Sequence, residues 1–165
     1  MMEKIVLLAC VSLFFLGCGN FLDINPESEV VNDDMFSTAE GVEDALYGVY
    51  MSMVKEDMYG GDMSVLIPEL LGQNFVTDDG YLIFLSRLDL ENADTRKTVR
   101  TIWSASYLVI SYLNNILENL DGKSIKDFKN YNLYRGEALG LRAVIHFDLL
   151  RLFAVHINSK DENAK

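Results

Sequence analysis

Between residues 98 and 120 apolar side chains recur every third or fourth position: Val99, Ile102, Trp103, Ile110, Leu113, Ile116, Leu117 and Leu120, with Ser106 in the same row. A stripe kept up over that length is buried only by a long helix lying against other helices. Asp121-Gly122 ends it, with Gly122 placed for a left-handed C-cap. A second long helix is predicted over 131–155. One of its sides carries Gly136, Gly140, Ala143, Phe147, Leu150 and Ala154, and another carries Leu141, Ile145, Leu149 and Leu152. Two apolar sides predict a helix held between partners, and the small residues admit close approach.

A third helix is predicted over 37–54, where Val42, Leu46, Val49, Tyr50 and Met53 share a face. Ser37 with Glu40 three residues on makes a capping box at its start. No run alternates with period two for long enough to build a sheet. The fold class is therefore mainly α, and paired long helices suggest helical hairpins. The 165 residues suffice for one domain with a core, and the 50% hydrophobic content excludes a wholly disordered chain. A net charge of −11 repels the nucleic-acid backbone, so no nucleic acid is expected as partner.

The N-terminus reads as an export signal. Residues 5–16, IVLLACVSLFFL, fit a signal core and fall short of the ~18–20 residues of a spanning helix. Glu3 departs from the usual positive start, and the competing reading is a buried N-terminal helix. Cys10 lies inside the signal and would leave with it. Cys18 follows Phe15-Leu16-Gly17, a setting that resembles the bacterial lipoprotein box, in which the thiol is acylated and becomes the first mature residue. No second mature cysteine remains for a disulfide. The organisation is read as a signal at 1–17, a lipidated tether at 18–34 and a helical domain at 35–165.

Residues 55–96 are less regular. Gly60-Gly61 breaks the chain, 65–73 is a short helix with Pro68 near its start, and Asp78-Asp79-Gly80 is a turn. The apolar run at 81–85 is compatible with an extended segment. A connection this long inside a compact domain is unusual unless functional, so a site is sought here. Aromatic rings beside polar groups suit a sugar, whose C–H face lies on the ring while its hydroxyls need fixed partners. Tyr81 and Phe84, with Asp78 and Asp79, are the candidate ligand residues. Trp103, on the helical stripe, is assigned to the core.

No G-x-G-x-x-G, P-loop or H-E-x-x-H is present. His146 and His156 have no thiol near them, and Asp78-Asp79 lacks the spacing of a calcium loop. No cofactor, metal or catalytic residue is predicted, and no enzyme. Asp148 and Arg151, three apart, read as a helix-surface ion pair, and Arg135 and Glu137 as surface or interhelix pairing.

Four stretches resemble one family. They are Cys18 through Asp23 followed by Ile24-Asn25-Pro26; Met35-Phe36-Ser37-Thr38 through Tyr50; Trp103…Tyr107…Ile110…Asn114; and Arg135-Gly136-Glu137-Ala138…Leu141-Arg142-Ala143…Phe147-Asp148-Leu149…Arg151-Leu152-Phe153. Together they resemble the N-terminal part of the SusD/RagB-like outer-membrane lipoproteins of Bacteroidetes. The resemblance implies tetratricopeptide-like helix pairs and a lipid-anchored surface protein that captures a glycan or other nutrient. It also implies a SusC-like TonB-dependent transporter as partner, and no chemistry on the ligand. Family members are about three times longer, so the chain looks like a fragment, and an uncovered apolar face is expected on its last helix. The competing reading is a small helical lipoprotein that acts as an adaptor with no ligand of its own.

Overall fold

The computed structural model of the chain describes residues 32–122 and 130–154. The chain divides into two units, Met1–Asn32 and Asp33–Lys165, and the account below is of the second. The predicted signal, Cys18, most of the tether and His156 lie outside the described residues. The elements in order are α1 (Asn32–Met35), α2 (Ala39–Met53), a π-helical turn (Asp62–Leu66), α3 (Ile67–Leu71), α4 (Gly80–Ser86), α5 (Ala93–Gly122) and α6 (Tyr131–Phe153). The fold is mainly α, with no strand among the described residues.

The helix starts differ from the predicted ones by a cap each. α2 is capped by Thr38, whose extended backbone lets its Oγ1 accept the N–H of Gly41 at 3.1 Å. Ser37 instead donates its hydroxyl to the Asp34 carbonyl at 2.7 Å. With the cap moved one residue on, Gly41 takes the place a capping box needs for Glu40. α5 begins at Ala93, earlier than predicted, because Asn92 Oδ1 accepts the N–H groups of Asp94 at 3.0 Å and Thr95 at 3.1 Å. Gly122 is no left-handed cap: among the described residues positive φ falls on Gln73 (55°) and Leu88 (49°) and on no glycine.

The core lies where α2, α5 and α6 meet. Val42, Leu46, Val49 and Met53 come from α2, Ile102, Val109, Ile110, Leu113, Ile116, Leu117 and Leu120 from α5, and Tyr134, Ala138, Ile145 and Leu149 from α6. Steps of three and four in each set keep one face inward. α5 and α6 run in opposite directions. Arg135 pairs with Asp121 (2.8 and 3.2 Å), Arg142 donates to Asn114 Oδ1 (2.8 Å), and Phe153 meets Trp103 edge-on, so rising numbers on one helix meet falling numbers on the other. α2 runs alongside α6 in the same sense. Tyr134 reaches Glu43 at 3.4 Å, and Tyr50 donates to Glu137 Oε1 at 2.6 Å.

The polar residues of the two long motifs thus act between helices. Asp148 is the clearest case and departs from its predicted place at the surface, being only 8% exposed. Its Oδ2 accepts the Tyr59 hydroxyl at 2.7 Å, and its Oδ1 pairs with Arg151 as the three-residue spacing predicts. Among the described residues α6 is not held on both sides but carries the uncovered apolar face expected on the last helix. Ile145 and Leu149 are buried, whereas Phe147 is 58% and Leu150 61% exposed. An added Cβ at Gly136 or Gly140 would meet open space, so this side of α6 is uncovered by the described residues.

The segment between α2 and α5 is fastened by particular contacts. Ser106, small and fully buried on α5, bonds back to the Ile102 carbonyl at 2.8 Å and leaves room for Met58 and Met63, whose sulfurs lie 3.6 and 3.7 Å from its hydroxyl. Gly60 is required where it stands, since a Cβ there would come within 2.2 Å of the Val54 carbonyl oxygen. Pro68 falls in the first turn of α3, where its missing N–H costs nothing.

Candidate ligand-binding site

Residues 81–85 form the body of helix α4 and are not extended. The cause is local. Asp79 Oδ1 accepts the Tyr81 N–H at 2.9 Å, and Thr77 Oγ1 holds the Asp79 N–H at 3.1 Å, so the carboxylate next to Gly80 serves as an N-cap. With the first turn fixed, Leu85 is buried and Tyr81 and Leu82 pack against the core.

Tyr81 then spans from α4 to α5, where its hydroxyl shares a 2.5 Å hydrogen bond with Thr98 Oγ1. Here a cavity of about 330 Å³ is lined by Asp62, Tyr81, Asp94, Lys97, Thr98 and Thr101. Asp62 comes from the π-helical turn, Tyr81 from α4, and the other four from one face of α5. Their order along α5, with steps of three, one and three, is a helical face in itself. The site joins an aromatic ring, hydroxyls, two carboxylates and one ammonium, the types of partner a polyhydroxylated ligand needs. The field at Asp62 is negative. Burial first, then the neighbouring charges of Glu56 and Asp57, raise its carboxyl above the usual range.

Of the four predicted ligand residues, Tyr81 alone lines this cavity. Asp79 is engaged as the cap, Asp78 is exposed in the loop before it, and Phe84 is 40% exposed elsewhere on α4. Asp62, Asp94, Lys97, Thr98 and Thr101 were not identified from the sequence. The spacing of the last four could have found them had the helix been started at its Asn92 cap.

Trp103 is not a core residue. It stands 44% exposed on the shoulder of the α5 stripe, with Tyr107 at 4.8 Å between ring centroids and Phe153 edge-on at 5.1 Å. These rings, with His146, Leu149, Leu150 and Ala154, line a second cavity of about 310 Å³ at the far end of α6. His146 is exposed, and its Nδ1 bonds the Arg142 carbonyl at 2.8 Å. Among the described residues no group of three or more His, Cys, Asp or Glu side chains is arranged to hold a metal ion. Nor is any described helix long and apolar enough to cross a membrane.

Residues 20–165 match the family model SusD-like_3, described as starch-binding associating with outer membrane. The match takes in the α2, α5 and α6 stretches and the whole cavity around Tyr81. No curated protein and no solved structure matches the chain.

Proposed function

Because the chain belongs to the SusD-like family of starch-binding proteins that associate with the outer membrane, we propose that it is a lipoprotein that captures a glycan or other nutrient at the cell surface. It delivers this ligand to a SusC-like TonB-dependent transporter and performs no chemistry on it. Cys18 carries the lipid, residues 1–17 are the export signal, and 18–34 tether the helical domain to the outer membrane. The family match over 20–165 carries this reading. The cavity beside Tyr81 supports it, since it joins an aromatic residue to hydroxyl and carboxylate groups. Tyr81 is the central contact, with Phe84 and Asp78 as further contacts on the exposed side of the same segment and Asp79 fixing the turn that carries them.

Two experiments test the parts separately. Labelled palmitate is expected on the wild type and absent from Cys18→Ser; label on the variant removes the anchor assignment. Retention in a starch-containing native gel is expected, with Tyr81→Ala weakening it about tenfold, the effect of losing one aromatic contact. Retention that does not change in Tyr81→Ala removes the cavity from the reading.

The adaptor reading expects the apolar row of α6 to be covered within the chain, whereas Val144, Phe147 and Leu150 are exposed among the described residues. It expects a protein partner and no saccharide retention.

A further inference from the structure

We infer that Asp148 is a positioning residue for the cavity beside Tyr81, acting through Tyr59. The inference rests on the binding role proposed for that cavity. The cavity is lined from two parts of the chain. Tyr81 and Thr98 are joined directly across α4 and α5. The other wall is Asp62, which stands three residues after Tyr59 on the segment leaving α2.

That segment is knitted together by its own backbone. Tyr59 N–H donates to the Met53 carbonyl at 2.9 Å, Gly60 N–H to Lys55 at 3.0 Å, Asp62 N–H to Glu56 at 2.7 Å, and Met63 N–H to Met58 at 3.1 Å. Ser64 Oγ returns to the Tyr59 carbonyl at 2.9 Å. The stretch from Met53 to Ser64 is therefore a cross-bonded unit, and its place on the bundle decides where Asp62 stands.

Among its contacts, this stretch meets α5 through two methionines and α6 through one hydrogen bond. The Met58 and Met63 side chains pack around Ser106, but methionine is flexible and specifies position weakly. The Tyr59 hydroxyl bond to Asp148 is directional and charge-assisted. Burial first, then this bond, push the Tyr59 phenol above its ordinary pKa, which keeps the donor proton in place. Asp148 is in turn oriented by Arg151, whose guanidinium lies 5.1 Å from the Phe147 ring centroid. The carboxylate thus sets the distance between the two walls without touching a ligand.

The test is amide hydrogen exchange on the full chain, with maltoheptaose as the binding probe. Tyr59→Phe is expected to speed exchange across residues 56–66 on the order of tenfold while the buried centres of α5 and α6 stay protected. Asp148→Asn is expected to do the same, and the double variant to exchange no faster than the faster single one, since both remove one link. Maltoheptaose affinity is expected to fall with them, while the exposed substitution Glu118→Ala changes neither readout. Exchange that rises evenly over the chain, or not at all, overturns the inference. So does local loosening that leaves maltoheptaose affinity at the wild-type value. If the wild type does not bind maltoheptaose, starch binding fails as the function, and exchange across 56–66 still decides whether Asp148 holds the Asp62 wall.

Discussion

The bundle of α2, α5 and α6 and the segment from Val54 to Asn92 are built in different ways. The bundle is held by area. Three faces with matched periodicity bury leucines, isoleucines and valines against one another, and no single contact dominates. The segment adds Ile67, Leu70 and Leu85 to that core but is also held by points: a glycine with no room for a Cβ, two methionines around a serine, one tyrosine on a buried aspartate, and an aspartate cap. Area tolerates small shifts and reads out as periodicity. Points tolerate no shift, and they bring Asp62 and Tyr81 to the polar face of α5.

The comparison breaks first in the bundle. Leu113 is fully buried at the centre of α5. Leu113→Ala is expected to cost about 2–5 kcal/mol, the range for emptying a packed leucine site. The midpoint of urea unfolding should fall accordingly, and an unchanged midpoint would show that the three helices do not share one core.

Gly60→Ala probes the other mode. The added methyl must displace the Val54 carbonyl, and about 2 kcal/mol of destabilisation is expected from the strain. Loss of protection confined to 54–66 would sharpen the contrast between the regions. A chain-wide loss would mean that the segment belongs to the bundle's cooperative unit.

Alkaline titration gives a smaller effect with a definite sign. The Tyr59 phenol is raised in the folded chain by burial and by Asp148. A group whose folded pKa exceeds its unfolded value stabilises fully below the unfolded pKa, about 10 for tyrosine, and loses that contribution as the pH rises beyond it. Stability should therefore decline above pH ~10, and less steeply in Tyr59→Phe. Equal slopes for the two proteins would detach the tyrosine from the stability of the fold.

The smallest expected effect is a gain. Leu88 holds φ at 49°, a region that penalises a side chain. Leu88→Gly should stabilise by about 0.5–1 kcal/mol, less if the flexibility of glycine in the unfolded chain offsets the relief. Thermal melting would register this as a rise of a few degrees, and a fall would show that the Leu88 side chain contributes packing.

The two regions also differ in how legible they were. The long helices and the mainly α class followed from apolar spacing, because burial by area leaves a periodic trace. Their ends did not follow. Asn92 caps α5 before any apolar residue begins the stripe, and the Asp94–Lys97–Thr98–Thr101 face is polar, so a search for apolar periodicity starts too late. Trp103 shares the spacing of the stripe but lies on its shoulder, and spacing alone does not tell centre from edge. Tyr81 was found by chemistry, as a ring among polar residues. Asp62 was not, since it reaches the cavity only through the folding back of 54–66. Asp148 was read as half of a surface pair, because its other partner, Tyr59, is 89 residues away.

The opposed course of α5 and α6 has a consequence for the order of assembly. Arg135 and Asp121 are separated by 14 residues and Arg142 and Asn114 by 28, against 89 for Tyr59 and Asp148. Closing the longest of these loops costs about 1.6 kcal/mol more than closing the shortest, by the logarithmic rule for flexible chains. The α5–α6 hairpin is thus the natural nucleus, with α2 and the segment after it joining later, since their contacts with α6 span 87 to 91 residues. A ligand that needs both walls would then meet only chains that have finished folding.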